Sequence, residues 1–193
     1  GMLEETFPKV PLLALNIFLM ILILFLMIQN MQVYNDALTG LNNRRRLNQY
    51  LKDCLERVDP ERPILLFIMD INSFKAINDL YGHLEGDNAL KTFSSILKKA
   101  ACRYNAFVAR YGGDEFCMVI EEAESSPEHI AAAIHESLAN AQREPGSAGK
   151  DYTMTVSIGH VSCADAEISP DMLLAEADRT LYENKKKWHT LNP

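Results

Sequence analysis

The stretch "PILLFIMDI", Pro63 to Ile71, constrains the fold more than any other part of the chain. A nearly unbroken apolar run closed by Pro63 and Asn72 predicts a β-strand covered on both faces, which needs helices on each side of a sheet. Asp70 is the exception within it. A carboxylate among Leu66, Phe67, Ile68, Met69 and Ile71 costs several kcal/mol if it is charged and unpaired, so it requires a cation or a proton. Strand ends in α/β sheets are where ligands usually sit, which makes a metal one partner. Capping of the next helix, or pairing with an arginine such as Arg110, are the alternatives.

A second strand signal frames "RYGGDEF". Ala106 to Tyr111 and Glu115 to Glu121 have the aromatic and β-branched content of strands, and Gly112-Gly113 between them predicts a hairpin with a two-residue turn of positive φ. Asp114 and Glu115 follow at once, with side chains expected on opposite faces. An ordinary charged surface turn explains the same residues. Around these strands, helical spacing predicts helices over 42–58, 73–80, 87–101, 127–142 and 170–187, and a further strand over 152–161. Ser126 before Pro127 and Ser169 before Pro170 are helix-start signals. "YGHLEGD" and "REPGSAGKD" read as loops. This order predicts one α/β (α+β) domain with a central mixed sheet flanked by helices.

Four helical positions are candidates for chemistry. Lys75 and Asn78 are three residues apart on one face, while Lys75 and Asp79 would equally suit an ion pair. Asp87 stands where a helix N-cap is expected, yet an acceptor-only carboxylate near an amide also suits the neighbouring N1 and N2 donors of guanine. Lys185 continues the apolar stripe Leu174, Ala177, Leu181, either as a cation at a helix C-terminus or as a group reaching phosphate. His83 and His160 read as packing or turn residues.

The net charge of −7 argues against a general nucleic-acid binder. Cys54, Cys102, Cys117 and Cys163 form no CxxC pair, which argues against zinc and against a disulfide framework, as in a reducing compartment. "VPLLALNIFLMILILFLMI", Val10 to Ile28, carries no charge and is about long enough for a membrane helix. It is read as a transmembrane helix, with an apolar helix buried in a dimer interface as the alternative. Arg44, Arg45, Arg46 and Lys52 beyond it place the larger domain in the cytoplasm, at the inner membrane. The expected organisation is a flank over 1–9, in which Gly1 resembles a tag-cleavage scar, the membrane helix over 10–28, a connector over 29–35 and a catalytic domain over 36–193.

Six segments taken in order, "DALTGLNNRR", "DINSFKAIND", "YGHLEGD", "RYGGDEF", "TVSIG" and "ADRTLYENK", closely resemble the diguanylate cyclase, or GGDEF-domain, family over about 35–188. The resemblance implies a palm-like nucleotidyl-cyclase fold and condensation of two GTP into cyclic di-GMP with release of two pyrophosphates. It implies that Asp70, the Ile71 carbonyl and Asp114 hold two Mg2+ ions per site, with Mn2+ as a substitute. Asp114, Glu115 and Lys75 are the catalytic residues it implies. Asn78 and Asp87 would read guanine, Lys75 and Lys185 would contact phosphates, and Gly112 and Gly113 would let the backbone approach the nucleotide. Because each domain presents one GTP, a homodimer is required for catalysis.

Three positions depart from the family pattern. Its product-inhibition motif RxxD reads Arg103 to Ala106 here, so feedback at this site is expected to be weak or absent. Asn72 replaces the second acid of "DID", which is expected to be tolerated, and His189 stands where an arginine is usual. The competing readings are a catalytically silent GGDEF module that binds GTP or another nucleotide and regulates a partner, and a structural dimerisation domain.

Overall fold

The structure is a computed structural model and describes residues 9–58, 61–143 and 152–191. Its core is a five-stranded sheet with strand order β1-β3-β4-β2-β5, built from β1 (Asn42–Asn43), β2 (Ile64–Ile71), β3 (Phe107–Arg110), β4 (Glu115–Ile120) and β5 (Val156–Cys163). β1 is parallel to β3, and the remaining pairings are antiparallel, so the sheet is mixed as expected.

All eight residues of β2 are buried, because helices cover both faces. Period-two alternation divides its side chains between two apolar clusters. Leu65, Phe67, Met69 and Ile71 join residues of α3 (Phe74–Tyr81), α4 (His83–Tyr104) and α5 (Pro127–Arg143). Ile64, Leu66 and Ile68 join α2 (Arg44–Leu55) and α6 (Pro170–Leu191). Asp70 has the parity of the second set, so it points to the α2/α6 face.

The helix-start signals at the serines hold. Ser126 Oγ accepts from His129 N at 3.3 Å and Ser169 Oγ accepts from Met172 N at 3.2 Å, which satisfies amides that the first helical turn leaves unpaired. The stripe on α6 also holds, with Leu174, Ala177 and Leu181 all buried. The four cysteines are free thiols.

Several expectations are corrected. α4 begins at His83, so most of "YGHLEGD" is helical and Asp87 lies inside the helix rather than at its N-cap. The left-handed turn that separates α3 from α4 is made by Gly82 alone, at φ 86°. Neither Gly112 nor Gly113 has positive φ. The hairpin connection is instead the four residues Tyr111 to Asp114, with Tyr111 N and Gly112 N both donating to Glu115 O at 2.8 and 3.3 Å. The strand expected from Tyr152 begins at Val156. Most of the loop "REPGSAGKD" lies outside the described residues.

The reading of Val10 to Ile28 as a membrane span is also overturned. The run is helical, within α1 (Lys9–Tyr34), and the helix continues through the expected connector. Among the described residues, however, no helix is long and apolar enough to cross a membrane. A crossing helix needs about 20 consecutive apolar residues to span a hydrocarbon core of about 30 Å, and no described helix meets that requirement. The transmembrane element of the expected fold class and the inner-membrane location inferred from it fall together.

Candidate functional site

The candidate site lies where the C-terminal end of β2 meets the β3–β4 connection. In the antiparallel register Asp70 is directly opposite Glu115, which brings the two carboxylates to one face of the sheet. Ile71 N donates to Asp114 O at 3.3 Å, so the residue after Gly113 is bonded to the residue after Asp70. The hairpin therefore joins two acids that are distant in sequence to the buried strand.

Asp70 is 6% exposed, and Lys185 Nζ lies 2.8 Å from its Oδ2. That ion pair answers the demand for a cation. Arg110 does not take part, and the N-cap of α3 is Ser73, in a left-handed conformation and without a side-chain cap, so Asp70 does not cap the helix either. Burial pushes the Asp70 carboxyl up to about 6, against the hydrogen bond from Lys185, with the charges of Asp114 and Glu115 raising it further. Three acids and one lysine leave this corner with excess negative charge, which favours additional cation binding.

Lys185 is placed by a clasp between α6 and β5. Asn184 Nδ2 donates to Ile158 O at 2.8 Å, and the Thr180 hydroxyl, which lies 2.7 Å from Ala177 O in its own helix, also lies 3.2 Å from His160 O. Gly159 sits beneath the helix, where an added Cβ would lie 2.5 Å from Ala177 O and 2.7 Å from Leu181 Cα. Only a residue without a side chain lets α6 lie this close to the sheet.

The hairpin connection is held from the N-terminal side of the domain, an arrangement the sequence reasoning missed. Arg110 Nε and Nη2 donate to Gly113 O at 3.0 and 2.7 Å, and Nη1 donates to both carboxylate oxygens of Asp36 at 3.1 Å. Asp36 also accepts from Thr39 N and Oγ1 at 2.9 and 2.6 Å. Burial would raise the Asp36 carboxyl, but the hydrogen bonds from Thr39 and Arg110 outweigh it and hold the group below the usual carboxylate range. The available signal was an arginine immediately before the "YGG" turn and an aspartate opening "DALTG".

On the other face of the sheet, α3 and α4 form a second part of the candidate site. Lys75 is exposed, and Asn78 and Asp87 are half-buried. The Asn78 amide rests against Gly86, the residue before Asp87, so α3 carries it to the turn of α4 that holds Asp87. Asn72, two residues after Asp70, is buried and bonds to the segment around β5: its Nδ2 donates to Thr155 Oγ1 at 3.0 Å and its Oδ1 accepts at 2.7 Å from the hydroxyl of Ser157, the residue opposite Asp70 in the sheet. Arg103 stands at the opposite end of α4 from Asp87, with its guanidinium 5.2 Å from the Tyr104 ring centroid, and Ala106 packs on the core just beyond. The His189 side chain lies outside the described residues. A concavity of about 500 Å³ lined by Glu61, Arg62, Glu121 and Glu124 flanks the opposite end of β2, away from the acids described above.

Among the described residues no three His, Cys, Asp or Glu side chains converge as a metal cage. The donor set still fits magnesium, which is bound by one or two carboxylates together with water and substrate phosphate rather than by an all-protein cage. Asp70 and Asp114 supply hard oxygen donors only, and the ammonium of Lys185 shows that a cation is accommodated at Asp70.

Comparison with known proteins agrees with this architecture. The family described as "Diguanylate cyclase, GGDEF domain" matches residues 33–190. The chain is 32% identical over 157 residues to diguanylate cyclase DgcS of Shewanella oneidensis, covering 81% of this chain and 51% of that protein. It is 35% identical over 151 residues to diguanylate cyclase DgcZ of Escherichia coli, covering 78% and 50%. The chain thus spans about half the length of these curated relatives. Among solved structures, the coiled coil and GGDEF domain of DgcB from Caulobacter crescentus, in complex with c-di-GMP, is similar with a TM-score of 0.79 at 25% identity, covering 93% of this chain and 94% of that one.

Proposed function

Because the chain belongs to the diguanylate cyclase, GGDEF-domain, family, we propose that it condenses two GTP molecules into cyclic di-GMP with release of two pyrophosphates. The observation that carries this reading is the pairing of Asp70 with Glu115, with Asp114 bonded through its carbonyl to Ile71 and Lys185 seated on Asp70.

In this reading Asp70, the Ile71 carbonyl and Asp114 hold magnesium. Bound there, the metal neutralises triphosphate charge and raises the acidity of the attacking hydroxyl. Lys75 and Lys185 contact phosphate oxygens, and Lys185 exchanges its carboxylate partner for the incoming nucleotide. Asn78 and Asp87 read the guanine edge. Asp114, assisted by Glu115, accepts the proton of the ribose 3′-hydroxyl. The 3′-oxygen then bonds to the α-phosphorus of the GTP on the partner domain, and the bond from that phosphorus to pyrophosphate breaks. Two such transfers close the ring, so two copies face each other across a two-fold axis, as a homodimer. With Ala106 in place of an acid, product feedback through Arg103 is weak.

The test is incubation of the whole chain with GTP and magnesium, followed by mass spectrometry for cyclic di-GMP. Product that requires magnesium and GTP supports the cyclase. Bound GTP without product selects the silent module instead.

A further inference from the structure

We infer that Gly86 is a specificity-determining position, which seats the Asn78 amide so that the site distinguishes guanine from adenine; this rests on the proposed reading of Asn78 as a base contact. Gly86 is buried in the first turns of α4, and its φ is outside the left-handed region. The backbone therefore does not require glycine, and within a helix glycine is less favourable than alanine. What requires it is space. A Cβ on residue 86 would overlap Asn78 Oδ1, and would stand 2.9 Å from Asn78 Cγ and 3.3 Å from Phe74 Cζ.

These neighbours differ in how they respond. The Asn78 amide is the free end of a flexible side chain and moves away at little cost to the fold, whereas the Phe74 ring edge has only to give by a few tenths of an ångström to reach ordinary contact. Alanine at 86 thus leaves α3 and α4 together but displaces the amide from its seat against α4. Gly86 touches no substrate in this scheme and acts through Asn78. Its effect falls on base discrimination and not on the phosphate contacts, which are made by Lys75 and Lys185.

The test is a double-mutant cycle of Gly86→Ala and Asn78→Ala, with magnesium and the α,β-methylene analogues of GTP and ATP titrated by calorimetry. In Gly86→Ala, affinity for the GTP analogue falls about tenfold, the scale of one lost hydrogen bond, while affinity for the ATP analogue is unchanged. In the Asn78→Ala background, Gly86→Ala has no further effect on either analogue. The thermal midpoint of Gly86→Ala is not lowered. Equal GTP-analogue affinity in Gly86→Ala and wild type overturns the inference and leaves the cyclase reading intact. A parallel fall for both analogues, a further loss in the Asn78→Ala background, or unfolding of Gly86→Ala assigns glycine a packing role and also overturns it. If the wild type binds neither analogue, the nucleotide-site reading itself fails, and the inference with it.

Discussion

Substitution of Gly159 by alanine tests how closely α6 is held to the sheet and how that seating governs Lys185. The added Cβ would meet the backbone of α6 at 2.5 Å from Ala177 O, and neither partner can rotate away. Restoring an ordinary contact of about 3.5 Å needs the helix to retreat by about 1 Å. Overpacking of this kind costs about 1–3 kcal/mol. The retreat also stretches the bond from Asn184 to Ile158 O, which contributes about 1 kcal/mol. The expected loss is about 2–4 kcal/mol, a large share of the roughly 5–15 kcal/mol that holds a typical domain. Urea denaturation measures it as a lower midpoint with an unchanged slope. At a temperature where both proteins are folded, GTP affinity also falls, because Lys185 moves with Asn184 on the displaced helix. A loss under about 1 kcal/mol refutes the argument that backbone contact leaves α6 no room.

The site sets three further outcomes. Asp114→Ala removes a carboxylate at a half-exposed connection, so it abolishes cyclic di-GMP formation without unfolding the protein; turnover detected by mass spectrometry contradicts that role. Asp70→Asn, measured without divalent metal, is more stable than wild type by about 3 kcal/mol at pH 7, because a carboxyl raised from 3.8 to about 6 weakens the charged fold. That advantage shrinks as pH falls through 6 and is gone below about 4, where the carboxyl is protonated in both folded and unfolded chains; denaturation at about pH 7 and pH 3.5 with an unchanged difference refutes it. Asp36→Asn behaves in the opposite sense. The Asp36 carboxyl is held low by Thr39 and Arg110, so its contribution is present above the ordinary carboxylate range and lost as pH falls through its folded value. The variant is less stable than wild type at pH 7 by about 2 kcal/mol, and equal stabilities there would show that the clamp on Gly113 contributes nothing.

The layered fold was legible because β2 had no polar face to offer. A run such as Leu65 to Met69 satisfies both parities of a strand, and this predicts two helical layers before any partner is known. The need for a cation at the end of β2 was legible for a related reason, but its source was not: the sequence offered a metal or Arg110, whereas the structure seats Lys185 of α6 on Asp70. Turn geometry was less legible. A glycine pair suggests positive φ, but Arg110 bonds to Gly113 O and ties the longer Tyr111–Asp114 connection to Asp36, a contact spanning 74 positions in sequence. Asp87 resembles an N-cap in sequence because "YGHLEGD" has two glycines. Gly82 makes the turn, whereas Gly86 is helical and its bare Cα faces a side chain of the neighbouring helix.

The two roles of glycine here separate what composition reveals from what only packing reveals. Gly82 obeys a conformational rule that operates on one residue at a time, and such rules can be applied to a bare sequence. Gly86 and Gly159 have ordinary backbones, and each is required by an element that arrives from elsewhere in the chain: the Asn78 amide from α3, and the backbone of α6. Gly86 lies against Asn78 and Gly159 lies under the helix that carries Lys185, two residues assigned to nucleotide contact. The missing side chains at 86 and 159 are therefore the means by which the packed helices bring those groups to the edge of the sheet, and enlarging either glycine tests the site without altering any group that touches the nucleotide.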